Sequence, residues 1–503
     1  MPLPASVRDH HSKGHCVSDS TPELPPGPDA PVTSPAIGRD EWVARHLDRR
    51  LPPRLGAIEA RLRRAPWWAW LALFVAACSL LPLFSSSGYV RRVGFDTVLY
   101  MLLALGLNVV VGWGGLLDLG YVAFYGVGAY SYALLDSDHF DIHMWSIASI
   151  PSIILIGALV GFLVGLPSRR LSGDYLAIVT LFFLQLFQTV ATNGDQVFGH
   201  NVTGGANGLL RVDPLDFFGH EIAVQHEGVF AVSYFYIALG IFAIVFVALR
   251  FVNESRTGRA WRSQREDPLA AEVMGMPVNW LKLTSFAFGA AVAALTGTLF
   301  AALNASVFPL TFYFVLLITV YTMVILGGQG SQAGVVLGAI LISVLLELLR
   351  EPSHARDVFY VMLGAGLVVA FKFSRRLAIV AAATIAFGFA AHAIADAIDH
   401  SWVSGTAGAW VSDWVIVPVH LAAWVPPVTY IALIAATLGL TLVRGLLRTV
   451  LLVPVLYLAA FVWENVMLAK PEPTRYIVIG VILVTLMVLR PNGLLGEKRV
   501  EIV

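Results

Sequence analysis

Asp118 is one of the few ionisable residues inside an apolar stretch of this chain, and glycines surround it in GWGGLLDLGYVAFYGVGAY (112–130). Glycine lets a membrane helix break, and a broken helix exposes backbone groups that can hold the polar parts of a substrate at membrane depth. Gly114, Gly115, Asp118 and Gly120 are therefore candidate residues of a translocation pathway or hinge. The favoured alternative is simpler: the glycines pack helices together, and Asp118 caps a short loop.

A second glycine-rich stretch, LGGQGSQAGVVLGA (326–339), poses the same choice. Gly327, Gly328 and Gly330 predict a tight turn, while Gly334 and Gly338 form a small-xxx-small pair of the kind that brings two helices close together. We interpret this stretch as a packing surface and hinge rather than as a phosphate-binding loop.

A cluster of possible metal ligands occurs in HAIADAIDH (392–400), where His392, Asp396, Asp399 and His400 share one helical face. A metal bound there would favour a membrane enzyme. A polar helix end that leaves the membrane explains the same residues more simply, so we predict no metal site.

The chain has no G-x-x-x-x-G-K-[ST] phosphate loop, so we expect any nucleotide to be bound by another polypeptide. Ion-driven carriers typically need ionisable residues within the membrane. Only Asp118 and Glu347 fall well inside the apolar runs, so an ion-coupled secondary transporter is the weaker alternative.

A charged loop interrupts the apolar runs at SRTGRAWRSQREDPLAAEVMGM (255–276). Asp267 is a good helix N-cap, Pro268 suits the first helical position, and Gly275 can end the helix in a left-handed conformation. Leu269, Val273 and Met276 are predicted to form an apolar edge. This short helix suits the groove of another protein; the alternative is a helix that rests on the membrane.

The small side chains of this short helix, Ala270 and Ala271, are expected to permit close approach of a partner, and Glu272 lies between them and the end of the helix. Arg262 and Arg265 precede the helix. We expect them to be exposed and to contribute little, since exposed ion pairs are worth about 0–1 kcal/mol.

The composition indicates an integral membrane protein. Hydrophobic residues are 57% of the 503 residues and charged residues 13%, whereas soluble domains carry roughly 25% charge. A net charge of zero gives no reason to expect nucleic acid as a partner, and two cysteines cannot form a disulfide framework. Apolar runs long enough to cross a bilayer predict an all-α polytopic bundle of about 11–14 transmembrane helices.

The positive-inside rule predicts the orientation of these spans. With both termini and the 251–282 loop in the cytoplasm, 26 of the 33 basic residues fall on that side. Five segments are predicted along the chain, as follows. They are a disordered tail (1–38), a basic amphipathic cytoplasmic segment (39–65), a permease core (66–373), an extra membrane-spanning insertion (374–474), and a last span with a cytoplasmic tail (475–503).

Five ordered motifs resemble the LivM-type permease family of high-affinity branched-chain amino acid import. They are the charged loop with the span after it, GLNVVVGWGGLLDLGYVAFYGVGAYSYALL (106–135), LSGDYLAIVTL (171–181), TGGANGL (203–209) and LGGQGSQAGVVLGAILISVLLELLR (326–350). The ending RPNGLLG (490–496) also resembles the family's terminus, whereas the insertion at 374–474 departs from the family pattern.

The resemblance implies a permease subunit of an ATP-driven importer at the bacterial inner membrane. Its implied partners are a second, LivH-like permease subunit, two ABC ATPase subunits, a periplasmic amino-acid-binding protein and membrane lipid. In this family the alanine-and-glycine loop is the coupling helix that docks on the ATPase, which assigns that role to 267–275. No cofactor is implied for this chain, because the partner subunits use the ATP. The implied substrate is leucine, isoleucine or valine, with other amino acids, urea or short amides as alternatives.

Overall fold

The computed structural model describes residues 66–496 apart from short gaps at 85–86, 170, 172, 197–200, 218–219, 223–224, 227–228, 231, 372–373, 406–410, 412 and 490–492. The segments predicted as a disordered tail and an amphipathic helix, 1–38 and 39–65, lie outside the described residues. The helix bundle lies within the unit Leu71–Val503.

Helices account for most of the described residues. The first ten are α1 (Trp67–Ser79), α2 (Leu81–Phe84), α3 (Gly88–Leu107), α4 (Tyr121–Leu135), α5 (Ser146–Gly165), α6 (Asp174–Asn193), α7 (Val232–Glu254), α8 (Arg256–Glu266), α9 (Pro268–Val273) and α10 (Val278–Asn304). The remaining seven are α11 (Phe314–Gly327), α12 (Gln332–Leu348), α13 (Pro352–Phe371), α14 (Arg375–Ile398), α15 (Val425–Leu442), α16 (Leu446–Val462) and α17 (Pro471–Leu489). Helix α3 continues into a π-helix, Asn108–Trp113, and α16 into another, Trp463–Met467.

The strands are two-residue antiparallel pairs between helices. They are β1 (Asp136–Ser137) with β2 (Ile142–His143), β3 (Leu209–Leu210) with β8 (Ser306–Val307), β4 (Asp216–Phe217) with β5 (His220–Glu221), and β6 (Gln225–His226) with β7 (Val229–Phe230). The β3–β8 pair, in register Leu209 to Val307, joins the loop before α7 to the end of α10.

Nine helical segments among the described residues are long and apolar enough to cross a membrane, and two shorter ones are apolar. The nine are Gly88–Trp113, Ser146–Gly165, Asp174–Gln196, Val232–Glu254, Val278–Asn304, Pro309–Gly327, Arg375–Ile398, Val425–Leu442 and Leu446–Met467. The two shorter ones are Trp67–Ser79 and Gln332–Leu348. This arrangement confirms the predicted all-α polytopic membrane class.

Helix α10 lies at the centre of the core and packs most extensively against α5 and α4. Its buried face is rich in alanine and glycine, including Ala290, Ala293 and Ala294. Small side chains let helix backbones approach closely where lipid supplies no hydrophobic drive for association. The same device joins α11 and α12: a Cβ at Gly338 would lie 2.1 Å from the Met323 carbonyl oxygen. The packing role predicted for Gly338 is thus present in the structure.

The two ends of α10 define two ends of the bundle. Its first residue, Val278, follows the charged loop, and we call this the coupling end. Its last residue, Asn304, adjoins β8, and we call this the strand end. At about 1.5 Å per residue, the 27 residues of α10 separate the two ends by about 40 Å.

The segment 374–474 contains α14, α15 and α16 and is held to α13 by a buried ion pair. Arg356 Nε lies 3.0 Å from Glu464 Oε2, and the Glu464 side chain is almost fully buried. Beside this pair, the rings of Phe359 and Trp463 stack with centroids 4.4 Å apart. The segment 374–474 is therefore packed onto α13 rather than being tethered by its ends alone.

Candidate coupling site and glycine junction

The short helix α9 has the caps that its sequence predicts. Asp267 Oδ1 accepts hydrogen bonds from the backbone N–H groups of Leu269, at 2.9 Å, and Ala270, at 3.0 Å. Pro268 occupies the first turn, where its missing N–H costs no hydrogen bond. Gly275 follows with φ +80°, the left-handed conformation predicted for it. The helix is thus delimited by local chemistry at both ends.

The outward face of α9 is apolar. Leu269 is 75%, Val273 87% and Met274 78% exposed. Met276, which the sequence pattern assigned to this edge, is instead partly buried against the core. The reason is Gly275, whose positive φ turns the chain back towards α10, so Met274 takes the outward position.

The two alanines of α9 face in opposite directions. Ala270 is exposed, whereas Ala271 is only 4% exposed, and its carbonyl accepts a 3.0 Å hydrogen bond from the Met276 N–H. A larger residue at 271 would therefore disturb the loop itself, and only Ala270 offers a small side chain to a partner. Glu272 is exposed beside them.

Helix α8 fixes α9 to the bundle. Trp261 is fully buried and donates a 2.9 Å hydrogen bond from Nε1 to the carbonyl of Leu281 on α10. Ser255 caps the start of α8 by accepting from the Gly258 N–H. Helix α8 ends at Glu266, directly before Asp267, so its last turn adjoins α9 in the chain.

That last turn contacts the two glycine-rich stretches, and we call the residues 108–120 and 327–331 the glycine junction. Gln264 Nε2 donates a 3.0 Å hydrogen bond to the Gly114 carbonyl, and the Arg265 guanidinium donates to the Gly112 carbonyl. The expectation that Arg262 and Arg265 are exposed is wrong, because both are partly buried, and the backbone break gives the Arg265 guanidinium a carbonyl partner. Arg262 makes only a long 3.4 Å contact with the Asn253 carbonyl.

Two of the predicted hinge glycines make room for Arg265. Gly115, at φ +68°, approaches so closely that a Cβ there would lie 2.8 Å from Arg265 Cγ. Gly330, at φ +92°, would place a Cβ 2.8 Å from Arg265 Nη1. Any side chain at either position would be strained by its backbone conformation and would also displace the arginine.

The two halves of the glycine junction are joined by hydrogen bonds. Gly330 donates its N–H to Asn108 Oδ1 at 2.9 Å and accepts from Trp113 Nε1 at 2.9 Å. Both partners belong to the π-helix that ends α3, a deviation that recurs at functional sites. These two bonds link the π-helix directly to the turn at Gly330.

Asp118 is fully buried at the break between the π-helix and α4. Its Oδ1 accepts a 2.8 Å hydrogen bond from the Gly120 N–H, as a cap would. Tyr321 of α11 bonds the Asp118 backbone on both sides, donating to the carbonyl at 2.6 Å and accepting from the N–H at 3.1 Å. This geometry favours the cap interpretation of Asp118 and ties the break to α11.

The turn at Gly327 and Gly328 also receives the C-terminal motif. Leu494 donates its N–H to the Leu326 carbonyl at 2.8 Å, and Leu495 donates to the Gly327 carbonyl at 3.0 Å. Gly493, at φ +70°, lies so close that a Cβ would be 2.6 Å from the Gly328 backbone. The terminal motif thus supports the junction rather than extending α17.

Two clusters of ionisable residues lie outside this site. At 392–400, His400 Nδ1 and Asp396 Oδ1 form a 2.6 Å pair. Within the described part of the chain, the three groups close enough to share an ion are Asp138, His143 and Asp213 at the strand end. His143 Nδ1 lies 2.5 Å from Asp213 Oδ2, and this hydrogen bond raises the pKa of the imidazole. The attraction between the His143 imidazole and the Asp213 carboxylate accounts for this contact without a metal ion.

The chain is similar in sequence to known transport permeases. The family model described as "Branched-chain amino acid transport system / permease component" matches residues 90–371. The permease LivM of Salmonella typhimurium is 38% identical over 298 residues, which cover 56% of this chain and 68% of that protein. LivM of Escherichia coli is 39% identical over 272 residues, covering 51% and 62% respectively.

A more distant similarity extends to the second permease type of the same transport system. LivH of Escherichia coli is 23% identical over 254 residues, which cover 49% of this chain and 80% of that protein. No solved structure matches the chain significantly. With more than half of its length matched by the family model, this chain belongs to the family of branched-chain amino acid transport permease components.

Proposed function

We propose that the chain is one of two transmembrane subunits of an ATP-driven importer and that it translocates leucine, isoleucine and valine. The observation that supports this most directly is the capped helix α9, which presents Leu269, Val273 and Met274 outward while α8 holds it on the core. An apolar edge on a rigid short helix suits a groove in a partner protein. The similarity to both LivM and LivH supports a pair of related permeases.

In this proposal ATP is bound by two partner ATPase subunits, and this chain acts as a transport subunit rather than an enzyme. Movement of α9 reaches the glycine junction through Gln264 and Arg265, which bond the carbonyls of Gly114 and Gly112. The junction contains the break between α3 and α4. When the ATPase subunits move α9, the backbone at the break between α3 and α4 can therefore change its conformation. Helix α10 keeps its position in this proposal.

Transport by the intact system tests the function. In a strain that lacks this chain, uptake of radiolabelled leucine should fall to background, and expression of the chain should restore it. Urea uptake should be the same in all strains. Loss of urea uptake with normal leucine uptake would instead assign the chain to the alternative substrate class.

The proposed orientation has both termini and the 251–282 loop in the cytoplasm, on the basic-residue distribution. A cysteine at Ser263, which is exposed on α8, should then resist an impermeant thiol reagent in intact spheroplasts and react after lysis. Asn207 is exposed at the strand end and serves as the matched position, because a cysteine there should react before lysis. Both changes belong in a background with Cys16→Ser and Cys78→Ser. Reaction of the cysteine at position 263 in intact spheroplasts would contradict the proposed orientation.

A further inference from the structure

A cavity of about 370 Å³ lies at the strand end of the bundle, between α3, α11, α12 and α17. Four of its lining residues are charged: Arg92 and Asp96 on α3, Glu347 on α12, and Arg475 on α17. Of these four residues, the sequence pattern identified Glu347 as a candidate and did not identify Arg92, Asp96 or Arg475. Two cations and two anions thus share one cavity whose net formal charge is zero.

The α3 pair leaves part of its hydrogen-bonding capacity open. Arg92 Nε lies 3.3 Å from Asp96 Oδ2, and Arg92 Nη2 donates a 2.7 Å hydrogen bond to Asn304 Oδ1. Arginine therefore engages one oxygen of the aspartate, and both side chains remain more than one-third exposed. Asn304, the last residue of α10, anchors this pair to the central helix.

The other two charged residues, Glu347 and Arg475, each contact residues that do not line the cavity. Glu347 accepts hydrogen bonds from the Tyr89 hydroxyl and from Arg350 Nη1, the latter at 3.3 Å. Arg475 Nη2 lies 3.1 Å from Glu472 Oε1. Arg475 lines the cavity and its side chain remains 22% exposed, so the accessible part of its guanidinium can donate hydrogen bonds to an anionic group.

The remaining walls are apolar. Leu99, Leu103, Leu316 and Phe300 line the cavity between the charged groups. Ionisable side chains within apolar helices are expensive and mark substrate pathways when they face an interior cavity. Paired charges of both signs beside aliphatic walls match a small molecule that is itself zwitterionic and aliphatic. The cavity volume is at the lower end of the range for small-molecule sites.

We propose that this cavity is a binding subsite for the zwitterion of an aliphatic amino acid, an inference that rests on the proposed import function. The carboxylate binds the guanidinium of Arg475, and the ammonium group binds Asp96, with Glu347 as the second anion. The aliphatic side chain lies against Leu99 and Leu103. The site is at the opposite end of α10 from the coupling helix, which in the proposed orientation is the side where substrate arrives.

This site selects the amino-acid backbone more strongly than the side chain. A charged group left unpaired is costly, whereas one methylene in an apolar pocket changes affinity only about 10- to 200-fold. Leucine amide lacks the carboxylate charge, and 4-methylpentanoate lacks the ammonium group. Each analogue should therefore compete with leucine about 10- to 100-fold more weakly than unlabelled leucine does.

Equilibrium binding of radiolabelled leucine to the purified complete membrane complex, without the soluble binding protein, tests the inference. Arg475→Gln should lower leucine affinity by about 10- to 100-fold and remove the preference over leucine amide. Asp96→Asn should remove the preference over 4-methylpentanoate. Arg211→Gln is the matched control, because Arg211 is an exposed arginine that pairs with Asp138 and does not line the cavity, and it should bind leucine as the wild type does.

Each outcome bears on one proposal only. A wild-type complex that assembles but transports no leucine would refute the import function. A complex that transports leucine, yet shows no saturable binding, or binds leucine amide equally well, would overturn the subsite. So would wild-type affinity in Arg475→Gln. If a variant fails to accumulate, competition by the two analogues on the wild-type complex decides the question.

Discussion

Replacing Ala270 by tryptophan is expected to abolish leucine uptake while the chain still inserts and accumulates normally. Ala270 is exposed on α9, so an indole there projects towards the partner and meets none of the bundle. Docking of a short helix depends on shape complementarity over a few central residues, and a bulky group at the contact prevents close approach. The purified membrane subunits should consequently lose the ATPase subunits on co-purification.

The choice of Ala270 rather than Ala271 makes this result interpretable. Ala271 is 4% exposed, so tryptophan there would also distort the loop. Ala206 at the strand end is an exposed alanine far from α9, and Ala206→Trp should leave ATPase co-purification unchanged. Normal uptake by Ala270→Trp, with the ATPase still bound, would show that α9 is not the coupling element.

Replacing Arg265 by alanine should lower leucine uptake by about 10- to 100-fold without releasing the ATPase subunits. The change removes the hydrogen bond from a charged group to the Gly112 carbonyl and leaves the docking face of α9 intact. A hydrogen bond to a charged group contributes about 1.5–3 kcal/mol, which is the size of the expected effect. ATP hydrolysis should continue but respond less to the substrate-loaded binding protein.

Arg262→Ala is the matched control for this effect, since Arg262 lies on the same helix but makes only the long contact with Asn253. It should retain at least about a fifth of wild-type uptake, since a weak, partly solvated contact contributes roughly 0–1 kcal/mol and 1 kcal/mol corresponds to about a fivefold change in rate. Gly115→Val should reproduce the Arg265→Ala defect, because its side chain would displace Arg265. Equal uptake in Arg265→Ala and Arg262→Ala would mean that the glycine junction does not carry the coupling.

Sequence alone determined the features that depend on neighbouring residues. The membrane class follows from runs of apolar residues, and the caps of α9 follow from Asp267, Pro268 and Gly275, because a cap bonds groups two or three positions away. Gly338 was likewise identified as a packing residue from its spacing to Gly334. The ordered motifs indicated the permease family, which the match over 90–371 confirms.

Tertiary structure decided which side chains of these elements are buried, which are exposed and which form the contacts of the candidate sites. The bond from Arg265 to Gly112 spans 153 residues, so no local pattern distinguishes Arg265 from Arg262. Burial of Ala271 and exposure of Met274 depend on how the chain turns back after Gly275. The charged cavity brings α3 and α17 together with the consecutive helices α11 and α12, and these three parts of the chain are far apart in sequence. Hydropathy and capping are properties of short segments, whereas a contact is decided by the packing of the whole bundle, where burial and pairing fix the cost of each polar group.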